Sequence, residues 1–172
     1  VLKFKPKQVA KKILSPLQER ANDVISSRFG LKEDAKSETL ESIGQKYGLT
    51  RERVRQIENA ALTAIKKADS YKEAKETFEE LEEYINTLGA VVAEEDLLDL
   101  ISSDPVIQNH IRLFLTLGDS FNYHKEDEHF KDRWSVDKEV AEIIHNGLKK
   151  LYANISDNEL LTEPDMISRF LS

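Results

Sequence analysis

Apolar residues recur at helical spacing along most of the chain, which predicts a mainly α-helical protein made of short helices. Over the first seventy residues the pattern predicts helices at 6–14, 15–29, 39–47 and 51–68. The second helix is expected to begin with Ser15 as its N-cap and Gln18 completing a capping box. The last two are joined by the short break Gly48-Leu49-Thr50, and such a pair is the sequence outline of a helix-turn-helix.

The second part of the chain has a different order of elements. Helical spacing predicts three helices at about 78–88, 97–101 and 107–117, with a short strand at Val91-Val92. Two strands at 121–124 and 130–136 then enclose a charged hairpin, which gives the order of a winged helix. Helices at 137–152 and about 164–171 follow. The predicted fold class is mainly α: a helix-turn-helix domain at 1–70, then a winged-helix-like domain at 71–172 with a small β-hairpin.

Charge divides the chain at the same place. Residues 1–70 carry 15 Lys and Arg against 9 Asp and Glu, a net charge of +6, whereas residues 71–172 carry 10 against 23, a net charge of −13. A basic half can meet phosphate groups, whereas an acidic half is repelled by them. The two halves are therefore expected to have different partners, and the acidic half is expected to add nothing to DNA affinity.

Composition excludes several classes of protein. The chain has no Cys, so a disulfide scaffold and a thiolate metal site are both impossible. No apolar run approaches the roughly 18 residues of a membrane span, and no apolar core of a signal peptide follows the basic start. These features favour a cytoplasmic protein without a membrane partner, and Val1 in place of Met suggests a fragment of a longer chain.

The predicted helix at 51–68 carries the chemistry. At 100° per residue, one narrow stripe must be buried, formed by Val54, Ile57, Ala61 and Ile65. The outward face then holds one carboxylate, two amides and three guanidinium groups, which belong to Glu52, Gln56, Asn59, Arg51, Arg53 and Arg55.

Side chains of these types read base edges in the major groove of DNA. Arg pairs with guanine, Gln or Asn pairs with adenine, and Glu accepts from the cytosine amino group. The predicted base-reading set is Arg51, Glu52, Arg55, Gln56 and Asn59. Contacts to the DNA backbone are expected from Arg28, Thr39, Leu40, Lys46, Thr50 and Arg53. The alternative is a solvated face whose arginines and glutamates pair with one another, and spacing alone does not separate the two.

Three stretches carry a family resemblance: Phe29-Gly30-Leu31, Glu38-Thr39-Leu40-Glu41-Ser42-Ile43-Gly44 and Leu49-Thr50-Arg51-Glu52-Arg53-Val54-Arg55-Gln56-Ile57-Glu58. Together they closely resemble region four of the sigma-seventy family, over about residues 15–67. The resemblance implies recognition of the upstream promoter hexamer, docking on the flap of the RNA polymerase β subunit, and a place in the bacterial nucleoid. By match, bases would be touched by Arg51, Glu52, Arg55 and Gln56, and the backbone or a protein neighbour by Arg28, Thr39, Leu40 and Arg53.

The chain departs from this family in two ways. Thr63-Ala64 stand where the family usually has basic residues, although Lys66-Lys67 follow. Nothing resembles the aromatic-rich region that melts promoter DNA or the region that binds the polymerase clamp. The chain alone is therefore not expected to be a complete sigma factor.

Residues 78–136 bear a less specific resemblance to HARE-type winged helices, known from the delta subunit of RNA polymerase. It depends on the Phe78–Leu81 helix, Gly89 with Val91-Val92, the Leu97-Leu98 helix and the strand of Trp134. In a winged helix the third helix would read DNA. The face of this helix that is expected to be exposed consists of Gln108, Asn109, Arg112 and Thr116, and Arg112 is its one positive charge. Because the whole second half is acidic, a contact with a protein rather than with DNA is the expected role.

The remaining candidates favour structural explanations. The four histidines, His110, His124, His129 and His145, lack the spacing of a metal site. Trp134 is expected in the core rather than as a stacking platform. The apolar stripe at 140–151 is expected to seal the winged-helix core, and binding a partner helix is the alternative. No nucleophile–base pair or phosphate loop occurs, so neither enzymatic activity nor a cofactor is expected.

Two hypotheses follow. The leading one is a sequence-specific promoter-binding transcription factor that reads DNA alongside RNA polymerase. The second is an interaction protein that docks on polymerase without reading DNA and uses its acidic half to block or mimic a nucleic-acid partner. The sequence leaves open the promoter sequence, an activating or repressing role, the partner of the acidic half and the oligomeric state.

Overall fold

The computed structural model describes residues 2–156 and 159–172, and its elements follow the predicted order. The first half contains α1 (Pro6–Leu14), α2 (Glu19–Phe29), α3 (Leu40–Tyr47) and α4 (Arg51–Lys67). The second half contains α5 (Asp69–Glu73), α6 (Lys75–Thr87), β1 (Val91–Ala93), α7 (Glu94–Ile101), α8 (Pro105–Leu117), β2 (Asn122–His124), β3 (Arg133–Ser135), α9 (Lys138–Ala153) and α10 (Glu163–Leu171). The prediction of a mainly helical fold is confirmed.

The boundary between α1 and α2 differs from the predicted one. α1 ends at Leu14, and the Ser15 hydroxyl donates to the carbonyl of Lys12 at 2.7 Å. α2 begins only at Glu19, after Gln18, whose side chain makes no capping hydrogen bond. The prediction of a capping box at Ser15 was wrong, because this hydroxyl satisfies a carbonyl at the end of the preceding helix instead of an amide of the next one.

The helix-turn-helix is formed by α3 and α4, and its helix ends follow the sequence. Both helices begin at a threonine whose hydroxyl accepts a hydrogen bond of 3.1 Å, Thr39 from the amide of Ser42 and Thr50 from that of Arg53. Such caps satisfy amides that have no partner within the helix. Gly48 ends α3 at φ +65°, a left-handed conformation that favours glycine. The predicted motif and its Thr50 cap are confirmed.

A small core of its own holds this motif together. Val24, Ile43 and Val54, one each from α2, α3 and α4, are fully buried against one another. The turn is tight because Gly44 lies directly against it: a Cβ atom added there would be 2.6 Å from the carbonyl oxygen of Leu49. The two helices can approach this closely only without a side chain at position 44.

The second half has the topology of a winged helix. α6, β1, α7 and α8 precede β2 and β3, and the three strands form an antiparallel sheet in the order β1-β3-β2. Trp134 on the central strand pairs with Val92 on one side and Tyr123 on the other. Its side chain is 6% exposed, which confirms the prediction that it belongs to the core.

One hydrophobic core extends across both halves. It joins buried residues of α1, α2 and α4 to buried residues of α6, α7 and α8, among them Ile13, Ile25, Ile65, Leu81, Leu97 and Phe114. α8 packs against both α1 and α2. The division into domains near residue 70 stays a prediction, and this shared core shows that the two halves bury apolar surface together.

Two expectations for the second half were wrong in part. Asn109 was expected on an exposed face of α8 but is 7% exposed, because that face packs towards the first half. The stripe of α9 was expected to seal the winged-helix core, yet only Ala141 and Leu151 in α9 are buried, and Ile143 is 68% exposed. α9 packs mainly against α10, where the Phe170 ring lies against Gly147.

Candidate nucleic-acid interface

The exposed face of α4 is the one that the sequence predicted. Three members of the apolar stripe, Val54, Ala61 and Ile65, are buried, and Ile57 is half-buried. The side chains on the opposite face are all exposed, namely Arg51, Glu52, Arg53, Arg55, Gln56 and Asn59. The predicted base-reading residues therefore lie together on one solvent-facing surface of a helix.

Four of these side chains form a hydrogen-bonded network on that surface. Arg55 donates to both carboxylate oxygens of Glu52, from Nε at 2.8 Å and from Nη2 at 2.7 Å. Gln56 accepts from Arg53 at 3.0 Å and donates to Glu52 at 3.5 Å. The hydrogen bond from Arg55 lowers the pKa of the Glu52 carboxyl, so Glu52 is a fully ionised acceptor at neutral pH. Exposed pairs of this kind add little to stability, so exchanging them for other hydrogen-bond partners costs little.

The beginnings of α3 and α4 face solvent and carry predicted backbone contacts. Thr39 and Thr50 are exposed, and each hydroxyl keeps a donor hydrogen for a phosphate oxygen after accepting its capping bond. Leu40, the first residue of α3, is half-buried and packs against the small core of the motif. Amides at a helix start and the helix dipole both favour a bound phosphate.

Lys46 lies in an ion-pair cluster centred on Asp23, a residue that sequence reasoning missed. Asp23 accepts hydrogen bonds from Lys46 at 3.0 Å, from Lys32 at 2.8 Å and from the Tyr47 hydroxyl. Burial alone would raise the pKa of the Asp23 carboxyl, but these donors together hold it well below its usual range. Because the Asp23 carboxylate neutralises one positive charge, this cluster carries less net positive charge than Lys32 and Lys46 would carry alone.

Arg28 has partners inside the protein. Its Nε donates to Glu58 on α4 at 3.1 Å, and its Nη1 donates to the backbone carbonyl of Glu38 at 2.8 Å. The Arg28 side chain is 30% exposed and that of Glu58 only 14%. Arg28 thus links α2 to α4 and to the loop before α3. Its predicted contact with DNA stays a prediction, and sequence spacing gave no signal of this structural role.

The histidines have ordinary protein partners. His110 is buried, and its Nδ1 lies 2.6 Å from the Val106 carbonyl oxygen. His124 lies 2.8 Å from the Ser135 hydroxyl, and His145 accepts a hydrogen bond from Arg133 at 2.8 Å. Within 2–156 and 159–172 there is no group of three or more side chains arranged to hold a metal ion. In the same ranges, every helix is too short or too polar to cross a membrane.

Comparison with known protein families tests the resemblance that these residues carry. Residues 13–67 match the family model of Sigma-70, region 4. The matched segment begins within α1, ends at the last residue of α4, and contains every residue predicted for the interface. The predicted resemblance to region four is confirmed for this segment.

Similar proteins align with the same part of the chain. RNA polymerase sigma factor SigA of a Bacillus species is 40% identical over 73 residues, 42% of this chain and 19% of the relative. RNA polymerase sigma factor RpoD of Helicobacter pylori is 48% identical over 54 residues, 31% of this chain and 8% of the relative. SigA of Listeria monocytogenes is 38% identical over 73 residues. The chain thus spans about a fifth or less of the length of these relatives.

Proposed function

We propose that this chain is a sequence-specific promoter-binding transcription factor, similar to a sigma factor, that acts with RNA polymerase in transcription initiation or its regulation. The observation that carries the proposal is the exposed face of α4, where Arg51, Glu52, Arg55, Gln56 and Asn59 lie together inside the segment that matches region 4. The place of action is the bacterial nucleoid in the cytoplasm. No enzymatic step is assigned to this chain.

The chemistry of this face fits a major groove. Arg55 and Gln56 can each make paired contacts with a purine edge, and Glu52 can accept from a cytosine amino group. In the free protein these groups satisfy one another, as described above. When DNA binds, hydrogen bonds to base edges therefore replace these side-chain hydrogen bonds, which contribute little while they are exposed to water. The new bonds form in a site from which water is excluded, and only a matching base sequence can form every one of them.

Contacts to the phosphates would hold the helix in register. The N-terminus of α3 at Thr39 and Leu40 faces solvent next to α4, as does Thr50 at the start of α4. Arg53 on the edge of the α4 face and Lys46 at the end of α3 add positive charge, and Arg28 contributes chiefly by holding Glu58 and the loop before α3. Such contacts supply affinity without selecting a sequence.

The expected result of a salt titration tests this proposal. The full chain should select a preferred sequence from a pool of random duplexes, and its affinity for that duplex should fall linearly with salt on a double-logarithmic plot. With two to four phosphate contacts, the slope should be about −2 to −4. A scrambled duplex of equal length should bind at least about tenfold more weakly at the same salt. Equal binding of all sequences would contradict specific reading.

Polymerase binding is a separate expectation. By analogy with the sigma factors that the segment resembles, the chain should be retained by core RNA polymerase through the β flap. The apolar surface expected to make this contact includes Leu17 and Phe29, which are half-buried and pack against the shared core. Replacing Phe29, the more C-terminal of the two, by Ser should weaken retention, whereas the exposed Gln45→Ala should not. DNA binding without any polymerase retention would instead identify a repressor or activator that acts alone.

The second candidate function is an interaction protein that docks on polymerase without reading DNA. The observation that favours it is the self-paired state of Glu52, Arg53, Arg55 and Gln56, together with the net charge of −13 on residues 71–172. An acidic half of this size would repel phosphates or compete with nucleic acid for a basic surface. This candidate predicts retention by polymerase with no preference among duplexes in the titration above.

A further inference from the structure

The helix that would read DNA in a winged helix has a different use in this protein. α8 packs against α1 and α2 of the first half, so its inner face is not available to a groove. On that inner face lies the polar side chain of Asn109, which is 7% exposed and points to the loop between α2 and α3. A buried amide costs free energy unless its donors and acceptor are satisfied, so its partners identify its role.

Asn109 holds that loop at two backbone positions, at its start and near its middle. Its Nδ2 donates to the carbonyl of Gly30 at 2.9 Å and to that of Ala35 at 3.0 Å, while its Oδ1 accepts from Arg112 at 2.8 Å. Both hydrogens of the amide nitrogen are therefore used to join the second half to two backbone positions of the first half. Position 30 has no room for a side chain, because an added Cβ would be 2.7 Å from Asn109 Nδ2.

The loop needs such support because of its backbone conformation. Ala35 has φ +53°, in the left-handed region that residues other than glycine rarely occupy. Such a conformation persists only where its surroundings hold it in place. The loop leads directly into Thr39, the N-cap of α3, and it is also fixed by Arg28 at the Glu38 carbonyl. The position of the helix start that faces the phosphates thus depends on the loop that Asn109 holds.

A continuous chain of hydrogen bonds connects this clamp to the sheet of the second half. Arg112 donates to Asn109 and, from Nε at 2.9 Å, to Glu94. The other carboxylate oxygen of Glu94 accepts from the indole of Trp134 at 2.8 Å. Each side chain of this hydrogen-bonded series is held by the next one, so the Asn109 amide is kept in position rather than free to rotate.

We propose that Asn109 is a positioning residue for DNA binding, through which the acidic half fixes the loop before α3 and so sets the affinity of the basic half for its site. The inference rests on the proposed function. It replaces the expectation that the acidic half adds nothing to DNA affinity: its charge opposes binding, while its α8 holds the binding surface in a competent conformation. The apparent affinity for a ligand is proportional to the fraction of the protein that is in the binding-competent conformation.

The test compares two substitutions of amide by carboxylate on neighbouring positions of α8. Asn109→Asp has nearly the same shape but removes both donors and turns a carboxylate oxygen towards two carbonyl oxygens. Gln108→Glu is the matched control, since it adds the same charge while its amide donates to Asp99 and Ser102, both within the second half. Asn109→Ala removes the donors without repulsion and serves if the Asp variant does not fold. The fluorescence of Trp134, the one tryptophan of the chain, reports whether the second half is intact.

The expected result has two parts. Both Asn109 variants should bind the preferred duplex about 5- to 30-fold more weakly than the wild type, with Gln108→Glu within about twofold of it. Amide hydrogen exchange at 31–37 should become faster in the Asn109 variants only, in the absence of DNA. Unchanged affinity in Asn109→Ala, or a loss of affinity equal to that of Gln108→Glu, would overturn this inference but not the proposed function. A wild type that shows no preference among duplexes would overturn the proposed function and this inference together.

Discussion

Gly44→Ala is expected to destabilise the protein by about 2–3 kcal/mol and to lower its thermal midpoint by roughly 4–12 °C. In an open helix position the same change would be stabilising, because alanine has the higher helix propensity. At Gly44 the new Cβ would be 2.6 Å from the carbonyl oxygen of Leu49, in a turn that the hydrogen bond from the Leu49 amide to the Gly44 carbonyl closes at 2.8 Å. Because the Cβ is fixed to the backbone of α3 and the Leu49 oxygen is itself a backbone atom, relief of the clash requires α3 to move away from the turn.

A second glycine in the middle of a helix provides the matched control. Gly147 lies in α9, and the three atoms nearest to a Cβ there all belong to the ring of Phe170, a side chain that can rotate away. Gly147→Ala should therefore change the free energy of unfolding by less than about 1 kcal/mol. Differential scanning calorimetry gives both values, and duplex binding should be lost only in Gly44→Ala. A Gly44→Ala protein as stable as the wild type would contradict the close approach of α3 and α4.

The sequence could predict the elements whose signals are local. Apolar residues at 54, 57, 61 and 65 determine which face of α4 is buried, and Thr50 and Gly48 mark the ends of the turn, because caps and helical period depend on neighbours in the chain. The start of α2 was misplaced for a related reason. Ser15 can donate backwards as well as accept forwards, and the local sequence does not decide between these two bonds.

What the sequence could not predict depends on contacts between distant residues. The partner of Arg28 is Glu58, and the partner of Lys46 is Asp23, so two predicted phosphate contacts have carboxylates beside them in the fold. Asn109 lies on a face of α8 whose polar residues, at helical spacing, predict exposure to solvent. The packing of the two halves buries it instead. Polar residues at helical spacing indicate a surface, but they do not tell whether that surface meets water or another part of the chain.

Arg55→Ala and Gln56→Ala are expected to show the largest loss of sequence discrimination. Each should weaken binding to the preferred duplex on the order of 10- to 100-fold and relax the preference at one or two base pairs, because each side chain can make paired contacts with one base edge. Gln56→Ala is the cleaner change, since it leaves the net charge and the Arg55–Glu52 pair intact. Arg55→Ala also frees the Glu52 carboxylate, which repels phosphates, so it should weaken binding to scrambled duplexes as well.

Lys67→Ala is the matched control for charge. It removes one positive charge from the same helix as Arg55→Ala, but at the C-terminal end of α4, away from the base-reading residues. Its effect should be about twofold or less and equal for preferred and scrambled duplexes, because a distant charge acts only through the screened field. Affinities for both duplexes at two salt concentrations separate the contribution of base contacts from that of charge. A lost base contact changes the ratio of the two affinities, whereas a lost charge changes both affinities alike. If Gln56→Ala weakened both duplexes equally, α4 could not be the helix that lies in the major groove.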